Sequence, residues 1–229
     1  MKLKSFGCSF LFGTDLGDYK HDNLYPQPSL KTWPALLAKE LDMQYVCLAH
    51  GGSGNLSILD RILKTVNSQE SVFYCINWTY IDRFDYTDPL GGPTTKNDWK
   101  SLTPGSIEIA AEVYYRDLHS EYKDKLASLI YIKTAIEFLL ANNCPFIMTF
   151  MDDLILDKQY HTNKGIEYLQ NYVSPYLHKF DGMNFLDWSR HHRFDISPNQ
   201  HPLEEAHAAA SRYMLPEIQN WVTNNKPAG

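Results

Sequence analysis

Two residues far apart in the chain have the types that acyl-transfer chemistry needs. Ser9 sits in Gly7-Cys8-Ser9, just after an apolar start at residues 3–6, and His201 opens His201-Pro202 ahead of a helical pattern. A serine hydroxyl is a poor nucleophile until a neighbouring base takes its proton, and an imidazole is suited to that task. A small-residue turn at the carboxyl end of a first strand lifts a hydroxyl into a crevice. A histidine before the last helix can meet it over the same sheet. Two further blocks lie between them, Gly51-Gly52-Ser53-Gly54-Asn55 and Asn77-Trp78-Thr79.

The elements that must position these blocks alternate. Residues 2–7, 44–49, 71–76, 145–151 and 183–186 read as strands; 71–76 is nearly all apolar, as in a strand buried on both faces. Residues 32–41 read as a helix with Pro34 in its first turn, and Asn55 is placed to cap a helix carrying Ile58, Leu59, Ile62 and Leu63 on one face. Helical spacing returns from about 107 to 141, in 165–179 with Pro175 interrupting, and in 203–222 with Pro216 as an expected kink. The expected architecture is α/β: a three-layer α/β/α sandwich on a mostly parallel, flavodoxin-like five-stranded sheet. Such sheets bind ligands at the carboxyl ends of their strands, where all four blocks fall. One domain spans 1–229. A Pro- and Gly-rich stretch at about 85–105, with Trp99 inside it, reads as a lid-like insertion.

The order and spacing of the four blocks resemble the SGNH hydrolases, the GDSL-like esterase/lipase superfamily. Trp33-Pro34-Ala35-Leu36-Leu37 adds to the likeness, since a Trp-Pro start to the first helix is common there. The resemblance implies that Ser9 is the nucleophile, that His201 is the base, and that the oxyanion is held by the N–H groups of Ser9 and Gly52. It also implies a side-chain donor from the third block. A gap-free reading places Thr79 there, and Asn77 lies on the same strand face two residues earlier. Cys8 stands where the family has Asp, and Pro198 stands where the family has the acid that orients its histidine. Asn199, Asp195 or a backbone carbonyl is then left to orient His201, so a Ser–His dyad is expected. Trp78, Arg83 and Trp99 are candidate substrate contacts, with Tyr80 a further stacking face; they favour a flat ring over a long lipid.

The chain has 229 residues and a formal charge of −6, with no Lys/Arg cluster to suit nucleic acid. Four cysteines lack metal-type spacing and read as reduced thiols; the His191-His192 pair has no carboxylate spacing beside it, so neither metal nor other cofactor is expected. No run of ~20 apolar residues is present to span a bilayer, nor a secretory leader, and a cytoplasmic location is expected. Oligomeric state is open. The leading expectation is an esterase that removes a small O-acyl group from a carbohydrate through a Ser9 ester. Two alternatives are carried beside it: a hydrolase-fold module that binds without catalysing, and a phosphoester hydrolase using Arg83 and His191.

Overall fold

The computed structural model describes residues 1–20, 26–66, 70–87 and 99–224. Strand β1 (Lys2–Phe6) lies inside the sheet, paired in parallel with β2 (Gln44–Cys47) on one side and with β3 (Val72–Trp78) on the other. Ser5 is level with both Cys47 and Cys75, so the three strands end at one edge. Beyond β3, and also parallel to it, runs a strand at Phe146–Phe150, giving four parallel strands.

Period-two alternation sends the side chains of β3 to opposite layers. Val72, Tyr74, Ile76 and Trp78 enter a core with Phe6, Ile58, Ile62, Leu129, Ile132 and Ile136. Phe73 and Cys75 enter the other core, with Leu3, Trp33, Leu37, Ala206 and Met214. The helices follow suit. Trp33–Glu40 and Glu204–Asn224 cover the face of Phe73, whereas Asn55–Thr65 and Glu121–Ala141 cover the face of Ile76. The result is a three-layer α/β/α sandwich, with apolar surface on both sides of the sheet as a parallel sheet requires.

Several elements differ from expectation. Residues 183–186 do not form a fifth strand: Met183 makes an isolated bridge to Phe180, and a helix begins at Phe185 (Phe185–His191). The place beside the edge strand at 146–150 is taken by a single parallel bridge from Leu177 to Met148. Asn163, whose side chain accepts from the N–H groups of Gly165 and Ile166, caps the helix Lys164–Val173. The last helix continues through Pro216.

The two ends of the expected lid are strands. Phe84–Thr87 and Trp99–Leu102, here β4 and β5, pair antiparallel with Phe84 opposite Leu102; residues 88–98, with Pro89 and Gly91-Gly92-Pro93, lie outside the described residues. Among the described residues no helix is long and apolar enough to cross a membrane.

Candidate active site

Beyond β1 the chain turns at Gly7-Cys8 and enters a one-turn helix, α1 (Ser9–Phe12), with Cys8 buried at its N-cap. Ser9 is the first helical residue, so its N–H has no acceptor within the helix. Gly13 ends the helix in the left-handed region (φ 78°), and its N–H donates to the Ser9 carbonyl at 2.8 Å. A methyl group at Gly13 would lie 2.4 Å from Ser29 Cβ, so glycine alone fits this stop. The chain then doubles back: Asp15, itself at φ 77°, returns its carboxylate to the serine's neighbourhood.

On the far side, residues 195–203 form a tight loop ahead of the last helix. Ile196 bridges Pro202, the Ser197 N–H donates to the His201 carbonyl at 2.8 Å, and the His201 N–H donates to the Ser197 hydroxyl at 3.2 Å. This loop sets the imidazole between two partners. His201 Nε2 lies 2.8 Å from Ser9 Oγ, and His201 Nδ1 lies 2.7 Å from Asp15 Oδ2. A carboxylate only accepts, so Nδ1 carries the proton and Nε2 is left to accept from the serine hydroxyl. Phe10 packs edge-on against the ring, with centroids 5.1 Å apart.

Asp15 is the residue that sequence reasoning missed. Neither Asn199 nor Asp195 orients the imidazole. Asn199 donates its amide to Asp15 (3.2 and 3.3 Å), and Asp195 accepts the Leu203 N–H through its backbone carbonyl. In place of the expected pair, Asp15, His201 and Ser9 form one hydrogen-bonded line, with Ser197 and Asn199 donating to Asp15. Burial alone would raise the Asp15 carboxyl, but hydrogen bonds from Ser197 (2.7 Å), His201 and Asn199 outweigh it and hold it below the usual carboxylate range. The one local signal was an acid two residues past a glycine stop, close behind the candidate serine.

The third block is placed differently from expectation as well. Strand β3 continues to Trp78, two residues further than its apolar run suggested, and carries Asn77 into the sheet. There Asn77 is fully buried opposite Thr149 and donates to its hydroxyl at 2.8 Å. Thr79 is fully buried too; its N–H donates to Asn55 Oδ1 (2.9 Å) and its carbonyl accepts from Asn55 Nδ2 (3.2 Å). Asn55 is thus a clamp between blocks, and the cap position belongs to Gly54. Trp78 is no stacking face: it is fully buried in the core, with Nε1–H directed at Met148 Sδ.

Gly52 sits in the left-handed region (φ 78°) with open space where a side chain would stand, which leaves its backbone accessible. Behind it, Arg83 donates to the Ser53 carbonyl at 3.0 Å and lies over the Tyr80 ring, so its guanidinium braces the loop. A cavity of about 460 Å³ adjoins Gly51 and Gly52. Phe12, Thr14, Arg61, Tyr86 and Trp99 line it, while Ser9 and His201 do not. Trp99 is held at its wall by a 2.7 Å hydrogen bond from Nε1–H to Asp60. His191 and His192 are exposed on another helix, where His192 approaches Asp181 at 3.5 Å.

With this geometry in hand, known structures supply the comparison. An acetylxylan esterase from Geobacillus stearothermophilus, determined as a catalytic mutant, superposes with a TM-score of 0.53 at 11% identity, covering 95% of this chain and 93% of its own. The chain has the SGNH-hydrolase fold. A psychrotrophic esterase from Pseudoalteromonas sp., inhibited by monoethylphosphonate, matches over its full length and 97% of this chain (TM-score 0.51, 11% identity). A carbohydrate esterase, described as having an active site with divergent catalytic and non-catalytic binding functions, gives a TM-score of 0.54 at 13% identity, over 95% of this chain and 68% of its own. No family model and no curated protein matches the sequence.

Proposed function

We propose that the protein is a serine ester hydrolase. The observation that carries this reading is the continuous line from Asp15 through His201 to Ser9, with links of 2.7 and 2.8 Å. Such a line needs no rearrangement before proton transfer. Ser9 Oγ attacks the ester carbonyl carbon while His201 Nε2 takes its proton. The carbonyl oxygen becomes an anion that accepts from the N–H groups of Ser9 and Gly52. As the intermediate collapses, the alcohol leaves with the proton from His201 and the acyl group stays on Ser9. Water then attacks that acyl group, giving its proton to His201; Ser9 recovers the proton as the acid departs. Asp15 keeps the imidazole in the Nδ1–H tautomer throughout and stabilises its cationic form.

The substrate class we assign is a small O-acyl group on a carbohydrate. Support comes from the cavity beside Gly52, which Tyr86 and Trp99 line among polar side chains, and from neighbours described as carbohydrate and acetylxylan esterases. The test is direct. Native protein should cleave nitrophenyl acetate and bind a fluorophosphonate covalently, and Ser9→Ala should do neither. Labelling retained by Ser9→Ala would end the proposal.

One observation favours a second reading, a binding module on the same fold: Asn77 and Thr79 are fully buried, and Asn77 is engaged with Thr149. A native protein that binds acetylated oligosaccharide without turning it over would decide for that reading.

A further inference from the structure

In the third block Asn77 is engaged with Thr149, and the fully buried Thr79 hydroxyl makes no hydrogen bond among the described residues. Arg61, on the helix at Asn55–Thr65, contacts the two segments that carry the proposed backbone donors. Its Nη2 donates to the Ser53 hydroxyl at 2.8 Å and reaches the Gly7 carbonyl at 3.5 Å. Gly7 is two residues before Ser9, and Ser53 directly follows Gly52. One guanidinium thus ties together the two segments whose N–H groups are proposed to hold the anion.

Both acceptors are neutral, so these hydrogen bonds do not cancel the charge of Arg61, and its Nε is buried with no acceptor among the described residues. Burial lowers its pKa to about 10, against the opposing pull of Asp85 and Asp60, which leaves it cationic at neutral pH. His50, beside it, is pushed down to about 4 by burial and by Arg61, so it stays neutral there. A half-buried cation costs desolvation.

We infer that Arg61 is the positioning residue of the oxyanion hole: it locks Gly7 and Ser53 so that the Ser9 and Gly52 N–H groups converge, and its charge favours the tetrahedral anion. This inference rests on the hydrolase reading. The role predicts a defect in the transition state with ground-state binding left intact.

The experiment compares native protein with Ser9→Ala, Arg61→Met, Arg61→Lys and Ser53→Ala. It measures kcat and KM on nitrophenyl acetate and the affinity for phenylboronic acid. In the boronate adduct Ser9 Oγ bonds to boron, its proton passes to His201, nothing leaves, and boron becomes four-coordinate and anionic. For Arg61→Met we expect kcat to fall about 30-fold, less than the ~10²–10³ of a lost direct donor. KM should stay within about twofold, boronate affinity should fall in step with kcat, and Arg61→Lys should recover part of both. Ser53→Ala removes only an acceptor and should show a milder loss of the same pattern; it keeps the test decisive should Arg61→Met fold poorly. Unchanged kcat in Arg61→Met and Ser53→Ala, with activity abolished in Ser9→Ala, overturns this inference alone. A kcat loss with boronate affinity retained overturns it too. An inert native protein removes the hydrolase reading and this inference together.

Discussion

Asp15 Oδ2 and His201 Nδ1 lie 2.7 Å apart, although 186 positions separate them in the chain. The acid that pairs with the imidazole thus comes from just behind Ser9, the proposed nucleophile. Asp15→Asn should swap an acceptor for a donor, favour the wrong tautomer and lower kcat by about 10³-fold or more. Asn199→Ala and Asp195→Asn should cost far less, since Asn199 touches Asp15 only at its rim and the Asp195 contact is through the backbone. Steady-state kinetics on one nitrophenyl ester ranks the three variants; an Asn199 loss equal to that of Asp15 would refute the assignment.

Gly13 makes that return possible. Gly13→Ala meets Ser29 Cβ at 2.4 Å and Thr32 Cγ2 at 2.8 Å, in a backbone region that alanine disfavours. The variant should lose about 1–3 kcal/mol of stability and displace Asp15 from His201. Activity should fall further than stability alone explains. Denaturant titration alongside kcat separates the two effects.

Trp78 and Trp99 should behave as opposites. Trp78 is wholly enclosed, so Trp78→Ala should cost about 3–5 kcal/mol of stability. Trp99 lines the cavity beside Gly52, so Trp99→Ala should raise KM for an acetylated sugar while kcat on nitrophenyl acetate holds. Thermal melts and paired kinetics on the two substrates test the contrast.

Acid should destabilise the fold through a buried histidine. His207 accepts the Trp33 N–H at 3.1 Å and packs on Phe185. Burial takes its pKa from 6.5 to about 3, with Glu204 pulling it up and His201 pushing it down. The unfolded chain therefore binds a proton below pH 6.5 that the folded chain refuses until about 3, and stability is lost across that window as pH falls. By linkage the loss between pH 8 and pH 5 is on the order of 2 kcal/mol. His50 adds to the same slope, being lowered to about 4. His207→Asn keeps an acceptor for Trp33 and should flatten the profile; an unaltered slope in urea titrations at the two pH values would count against this account.

The sequence by itself determined the layers and pointed to Ser9 and His201 as a pair that the fold brings into hydrogen-bond contact. Apolar runs and helical spacing specify a parallel sheet with helices on both faces, because each pattern must bury its apolar side. The order of the blocks placed Ser9 and His201 at one sheet edge, since strand ends and helix starts are local features. Only the tertiary structure decided the acid, the fate of the third block and the bracing of the Gly-rich loop. The Asp15 contact depends on a left-handed turn at Gly13 and on a loop that arrives from the far end of the chain. Asn77 looked available until β3 proved two residues longer, and a strand's length is set by its neighbours' pairing. Residue identity fixes what a side chain can do chemically, while the distance between side chains depends on how every intervening element packs.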